Sequence, residues 1–117
     1  MDEKFNVQLL SGVTDFLDTL DEKSRDKIIY NIYKARTAND NELFKKLVDD
    51  IWEFRTLYNK TFYRLLAFWD NTHNERTLVI ATNGFIKKTK KTPKNEIEKA
   101  KAIRKIYFEQ KLNNKAK

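Results

Sequence analysis

Two aromatic-rich runs separated by a dipeptide do most to limit what this chain can fold into. Ile51-Trp52-Glu53-Phe54-Arg55-Thr56-Leu57-Tyr58 is followed, after Asn59-Lys60, by Thr61-Phe62-Tyr63-Arg64-Leu65-Leu66-Ala67-Phe68-Trp69. Aromatic and β-branched side chains at this density favour pleated strands. A two-residue connection makes the strands antiparallel neighbours, although glycine is the preferred second residue of such a turn. With Asn59-Lys60 as the turn, the numbers of facing residues sum to 119. Trp52 then faces Ala67, Phe54 faces Leu65 and Thr56 faces Tyr63, which makes one face nearly all apolar. The other face sets Ile51, Glu53, Arg55 and Leu57 opposite Phe68, Leu66, Arg64 and Phe62.

The rest of the chain reads as a strand and helices before this hairpin, and a strand and a helix after it. Phe5 to Leu10 is a short apolar-leaning strand. Val13, Phe16, Leu17 and Leu20 recur at three- and four-residue steps, one face of a short helix. Asp21 is placed to cap a second helix by accepting from the Ser24 amide, and Ile28, Ile29, Ile32 and Tyr33 form its expected buried stripe. Thr37 to Asp40 is a linker. Leu43, Phe44 and Leu47 predict a short helical turn. Asp70 to Glu75 is a polar loop. Thr77 to Thr82 is a β-branched strand that Asn83-Gly84 should close. Thr92-Pro93 predicts a helix start, threonine as cap and proline at the first position, with Ile97, Ala100, Ile103, Arg104 and Tyr107 along one face. Residues 112–117 should fray. These elements make an α+β domain.

Composition bounds the function. The 117 residues fit one domain, 1–117, and at 40% apolar they build a small core. There is no cysteine, so disulfides, thiol catalysis and thiolate zinc sites are excluded. The single histidine, His73, gives little basis for a metal site and is expected to be an exposed loop residue. No metal and no cofactor is expected. No run of about 18 apolar residues is present, so no spanning helix is expected, and the first residues do not read as a secretory signal. A cytoplasmic location follows as an expectation.

Charge is polarised. Residues 1–50 carry 8 basic against 11 acidic side chains, a net of −3, while residues 51–117 carry 16 against 6, a net of +10. That asymmetry points to a polyanionic partner such as nucleic acid or ribosome. The competing reading is a solvated basic tail. The hairpin register sharpens the question, because Arg55 lies directly across from Arg64. Like charges in that position destabilise a sheet. Either the two guanidiniums frame an anion such as a phosphate, or Glu53 and nearby carboxylates neutralise one while the other reaches solvent. A second cationic group is Lys87, Lys88, Lys90 and Lys91, just before a helix N-terminus, which suits a phosphate-binding rim. Phe85 is either a stacking platform for a base or a core residue ending a strand.

Taken in order, Ile51-Trp52-Glu53-Phe54-Arg55, Phe62-Tyr63-Arg64-Leu65-Leu66, Gly84-Phe85-Ile86-Lys87-Lys88-Thr89-Lys90-Lys91-Thr92-Pro93 and Glu96-Ile97-Glu98-Lys99-Ala100 resemble the HigB-type toxins of the RelE/ParE superfamily, including phage-derived relatives. Phe16-Leu17, Leu20 and Phe44-Lys45-Lys46-Leu47 are also similar. The resemblance covers about residues 5–110. It implies a small antiparallel-rich sheet with two N-terminal helices on one face and a C-terminal helix. It further implies the toxin of a type II toxin–antitoxin pair, an endoribonuclease that cleaves mRNA on the ribosome. The implied partners are mRNA, the ribosome and a helix-turn-helix (HigA-like) antitoxin, with operator DNA reached only through the antitoxin and no membrane.

Metal-independent RNA cleavage uses the 2′-hydroxyl to attack the adjacent phosphate, and needs cations for the phosphorane charge and groups that move protons. Arg55 and Arg64 are the candidates for stabilising the phosphorane. Lys87 and Lys88 are candidates for holding the phosphate, with Lys90, Lys91 and Phe85 beside them. Glu53 is a candidate base, or a salt-bridge partner of Arg55. Tyr58 falls on the opposite face. Replacing Arg64 by alanine is expected to abolish growth inhibition while leaving thermal stability nearly unchanged. Two alternatives remain: a gyrase-directed, ParE-like toxin without nuclease activity, and a catalytically inactive phage-derived binding protein.

Overall fold

The alternation read from 51–69 is realised as the centre of a five-stranded sheet. In the computed structural model, which describes residues 4–38, 40–72 and 78–115, the elements run β1 (Asn6–Leu9), α1 (Ser11–Asp18), α2 (Glu22–Thr37), β2 (Phe44–Val48), β3 (Ile51–Tyr58), β4 (Thr61–Asp70), β5 (Leu78–Lys87) and α3 (Lys94–Lys115). The sheet order is β1-β5-β4-β3-β2. Only β1 and β5 pair in parallel, and the other ladders are antiparallel. The β3–β4 register is the expected one throughout, including Trp52 against Ala67, Thr56 against Tyr63 and Arg55 against Arg64. Asn59 and Lys60 both have positive φ, 50° and 62°, as a tight turn matched to the strand twist requires.

Two cores flank the sheet. α1 and α2 cover one face, where Val13, Leu17, Ile28, Ile32 and Ala35 pack on Phe54, Tyr63, Leu65, Ala67, Val79 and Ala81. α3 covers part of the other. There Ala100 and Ile97 meet Ile51, Leu66 and Phe85, and Phe68 packs against both Tyr107 and Phe108, with ring centroids 5.2 and 5.5 Å away. α3 is also tied to the β2–β3 turn, Lys101 to Asp49 at 2.8 Å and Arg104 to Asp50 at 3.6 Å. No helix among the described residues is long and apolar enough to cross a membrane.

Four local expectations are corrected. The first concerns the buried stripe of α2, which is Ser24, Ile28, Asn31, Ile32 and Ala35, with Ile29 and Tyr33 exposed. Sheet hydroxyls draw the polar residues inward. Asn31 Nδ2 donates to Thr56 Oγ1 at 3.1 Å, and the Tyr63 hydroxyl donates to Ser24 Oγ at 3.1 Å. The Asp21 cap forms as read, accepting from the Ser24 amide at 3.1 Å.

Second, the segment around Phe44 is the edge strand β2 rather than a helical turn. Phe44 stacks on Phe54 at 4.3 Å, and Lys45 and Lys46 pair with Glu53 and Trp52. A three-residue apolar spacing fits a helical turn, but in the strand it sends Phe44 and Leu47 to the two different cores, and pairing with β3 decides it. Third, β5 does not stop at Asn83-Gly84 but continues to Lys87. Gly84 serves packing rather than a turn: a Cβ there would overlap the Phe16 ring and lie 2.7 Å from Leu65 Cδ2.

Fourth, α3 starts differently. The Pro93 carbonyl receives the amides of Glu96 and Ile97, and the Thr92 hydroxyl finds no hydrogen-bond partner among the described residues. At its other end α3 runs to Lys115. Two expectations, on His73 and on the loop to Glu75, fall on residues 73–77, outside the described residues.

Candidate nucleic-acid interface

Three ladder rows place the charged residues on the α3 side of the sheet. Lys45, Glu53, Leu66 and Asn83 form one row across β2, β3, β4 and β5. The next is Arg55, Arg64 and Phe85, and the third is Leu57, Phe62 and Lys87. Side chains two apart on a strand share a face, so all three rows look the same way. α3 packs over Leu66 of the first row and Phe85 of the second, while Leu57 and Phe62 of the third row stay exposed. Glu96, in the first turn of α3, accepts from Asn83 Nδ2 at 3.0 Å through its carboxylate. This anchors the segment that carries Lys88, Lys90 and Lys91 beside the third row.

Arg64 is the centre of the arrangement. It is only 4% exposed, and its Nε lies 3.1 Å from Oε1 of Glu53, itself 2% exposed. The two groups are close enough for an ion pair but not aligned as a hydrogen bond. Nη1 donates to the Tyr63 carbonyl at 3.1 Å. Glu53 therefore pairs with Arg64 rather than with Arg55. Burial pulls the Arg64 guanidinium down from its ordinary value, Glu53 opposes this, and the positive charge of Arg55 adds to it. An arginine stays protonated under such shifts. Lys87 responds to the same neighbours. Burial comes first and the charge of Arg64 next in drawing its ammonium down, Glu53 opposes, and Arg55 and Lys45 add to the fall. Cations from β2, β3, β4 and β5 thus lie on one face of the sheet around a single buried carboxylate, and Arg64 pairs with it.

The surface over this cluster is concave on both sides of Arg64. One hollow of about 360 Å³ is lined by Phe62, Arg64, Lys87, Lys88, Thr89 and Lys90. A second, of about 320 Å³, lies toward α2 and also uses Arg64 and Phe62, together with Arg55. Lys91 lies on the exposed connection, where its carbonyl accepts from Thr89 Oγ1 at 2.8 Å. Phe85 is 9% exposed and belongs to the core with Ile51, Leu66 and Ala100, so its ring is not a surface for stacking. The exposed ring is Phe62, 46% exposed, with the Arg64 guanidinium 5.8 Å from its centroid. Tyr58 packs toward the first core, away from the cluster.

Residues 15–105 match the family described as phage-derived protein Gp49-like (DUF891). The chain belongs to that family. The family lies within the RelE/ParE-like toxin superfamily, and the match does not reach the narrower HigB assignment. No curated protein matches the chain. The matched span of this Gp49-like chain includes every residue of the cluster around Arg64. Phe62, Lys27, Lys34 and Glu42 line the hollows without standing out as candidates in its sequence. Phe62 was visible in the register as the neighbour of Arg64 on the same face. Lys27 and Lys34 of α2, which line the second hollow, carry no local signal, because only the packing of α2 on the sheet brings them to Arg55.

The expected neutrality of Arg64→Ala toward stability does not fit this geometry. Removing the guanidinium strands the Glu53 carboxylate in the interior. Breaking a buried pair in this way costs about 3–5 kcal/mol.

Proposed function

We propose that this Gp49-like protein is the toxin of a toxin–antitoxin pair and acts as a metal-independent endoribonuclease on mRNA at the ribosome. The observation that carries the reading is the convergence of Arg55, Arg64 and Lys87, from three strands, on one concave surface with Arg64 held by a buried carboxylate. A fixed guanidinium fork suits the spreading charge of a phosphorane better than a mobile surface cation. In the proposed step the 2′-oxygen bonds to phosphorus, the bond from phosphorus to the 5′-oxygen breaks, and the 2′-hydroxyl proton passes to water. Arg64 and Arg55 stabilise the phosphorane. Lys87, whose surroundings favour release of its proton, protonates the leaving 5′-oxygen. Lys88 and Lys90 hold the flanking backbone, with Lys91 on the approach. Glu53 is a positioning residue for Arg64 and not the base. Phe62 takes the stacking role first considered for Phe85.

The resemblance to HigB-type toxins motivates the remaining proposals. The partner is a helix-turn-helix antitoxin through which the pair reaches operator DNA, and the site of action is the cytoplasm. The test is purified protein added to translating ribosomes, with cut sites mapped on the message by primer extension, beside a gyrase supercoiling assay. Cuts that need the ribosome and vanish with Lys87→Ala support the reading. Loss of supercoiling without RNA cuts overturns it in favour of a gyrase inhibitor. Neither effect, with tight antitoxin binding, overturns it in favour of an inactive binding protein.

A further inference from the structure

The second hollow has a composition that phosphate binding alone does not require. β2 pairs with β3 only as far as Phe44 against Phe54, and the last link is the Arg55 amide donating to the Leu43 carbonyl at 2.8 Å. Beyond it the edge of β3 opens toward α2. Lys27 and Lys34, seven residues and so two turns apart on α2, enter the hollow from that side. Arg55 enters from the sheet, and Glu42 from the connection between α2 and β2. Arg64 and Phe62 are common to this hollow and to the one beside Lys87. The two hollows therefore adjoin at one guanidinium. A polynucleotide with a phosphate at Arg64 has to leave in two directions, and a hollow lies on each side of Arg64.

Glu42 is the one carboxylate lining either hollow among the described residues. Among cations that attract a backbone, a carboxylate lowers affinity for any polyanion. Its chemistry suits a base edge instead, because an ionised carboxylate only accepts hydrogen bonds and pairs with an exocyclic amine such as cytosine N4. Asn31 also lines the hollow, but it is buried and its amide is committed to Thr56.

We propose that the α2-side hollow is a nucleotide subsite for single-stranded RNA. In it Lys27 and Lys34 hold the phosphate next to the one at Arg64, and Glu42 selects a base that presents an amino group over uracil. The proposal rests on the reading of the Arg64 cluster as a phosphate site and adds to it a second position and a base preference.

The experiment measures binding of labelled 2′-O-methyl hexanucleotides, which lack the attacking hydroxyl. Hexacytidylate and hexauridylate are compared across a salt series. The full chain is compared with its Lys27→Ala/Lys34→Ala, Glu42→Gln and Lys87→Ala/Lys88→Ala variants. Lys27→Ala/Lys34→Ala should weaken both oligonucleotides on the order of tenfold, and make the log–log salt dependence shallower by about 1.4, at roughly 0.7 per charge on a single strand. Glu42→Gln should cut the preference for cytidine over uridine by about tenfold while hexauridylate binds at least as well as before. If Lys27→Ala/Lys34→Ala binds like the unaltered chain while Lys87→Ala/Lys88→Ala is weakened, the subsite is wrong and the phosphate site stands. If neither double variant is weakened, or the unaltered chain binds neither oligonucleotide, both fall. An unchanged base ratio in Glu42→Gln overturns the selection by Glu42.

Discussion

Arg64 sits where two requirements oppose each other. Its charge faces Arg55 across the β3–β4 ladder, which should destabilise the sheet, and it is buried, which should disfavour any charge. Glu53 offsets both at 3.1 Å. Arg64→Ala is therefore expected to lose activity and about 3–5 kcal/mol of stability together, so it cannot separate chemistry from folding. Arg64→Lys keeps a cation for Glu53 but loses the planar fork. Urea unfolding of that variant should stay within about 2 kcal/mol of the parent, while growth inhibition falls strongly. A folded Arg64→Lys protein with full toxicity would remove the fork from the mechanism. The pairing of Arg55 with Arg64 was legible from the strand sequences, because a two-residue turn sets the register. The choice of Arg64 by Glu53 was not, because diagonal contacts depend on sheet twist and on what α3 covers.

At the scale of the element, the hairpin and β5 carry opposite lessons about backbone freedom. Lys60 holds φ at 62° in the turn, a conformation that costs a side-chain-bearing residue about 1–2 kcal/mol and costs glycine little. Lys60→Gly should raise the unfolding free energy by roughly 1 kcal/mol, measured by urea titration, and leave the site unaltered. Gly84 lies in extended backbone yet has no room for a side chain, because Phe16 and Leu65 occupy the space. Gly84→Ala should destabilise by about 1–3 kcal/mol through overpacking. A second substitution, Phe16→Leu, should recover part of that loss. Asn83-Gly84 reads as a strand end in one dimension because glycine marks turns. Its reason for being glycine lies in α1, some seventy positions earlier.

Across the whole molecule, α3 is held at its far end by a buried charge cluster. Asp70 is fully buried at the end of β4, and its carboxylate accepts from Lys111 Nζ at 2.6 Å, from the Tyr107 hydroxyl, and from the amide and hydroxyl of Thr72. Burial pushes the Asp70 carboxyl up, but the hydrogen bonds from Lys111, Thr72 and Tyr107 outweigh it and hold the group well below the ordinary 3.8. Burial, together with the facing carboxylate, pushes the Tyr107 phenol up. Because the folded carboxyl is depressed, its stabilisation is complete above the ordinary carboxylate range and is lost as pH falls through that range toward the folded value. Asp70→Asn should lower stability at neutral pH and flatten the acid limb of the stability–pH curve. Identical acid limbs for the two proteins would show that Asp70 does not carry the dependence.

What the chain determined by itself was whatever rests on neighbours in sequence. The β3–β4 register followed from strand alternation and a two-residue turn, the Asp21 cap from a three-residue reach, and the polarity of charge from simple counting. What only the tertiary structure decided involves residues far apart in the chain. It made Phe44 part of a strand by pairing it with β3, turned Asn31 inward to meet Thr56, sent Phe85 into the core under Ala100, and brought Lys27 and Lys34 to Arg55. The physical reason is that backbone geometry and capping act over a few residues. Burial and charge pairing are settled by which surfaces meet once the sheet and helices have packed.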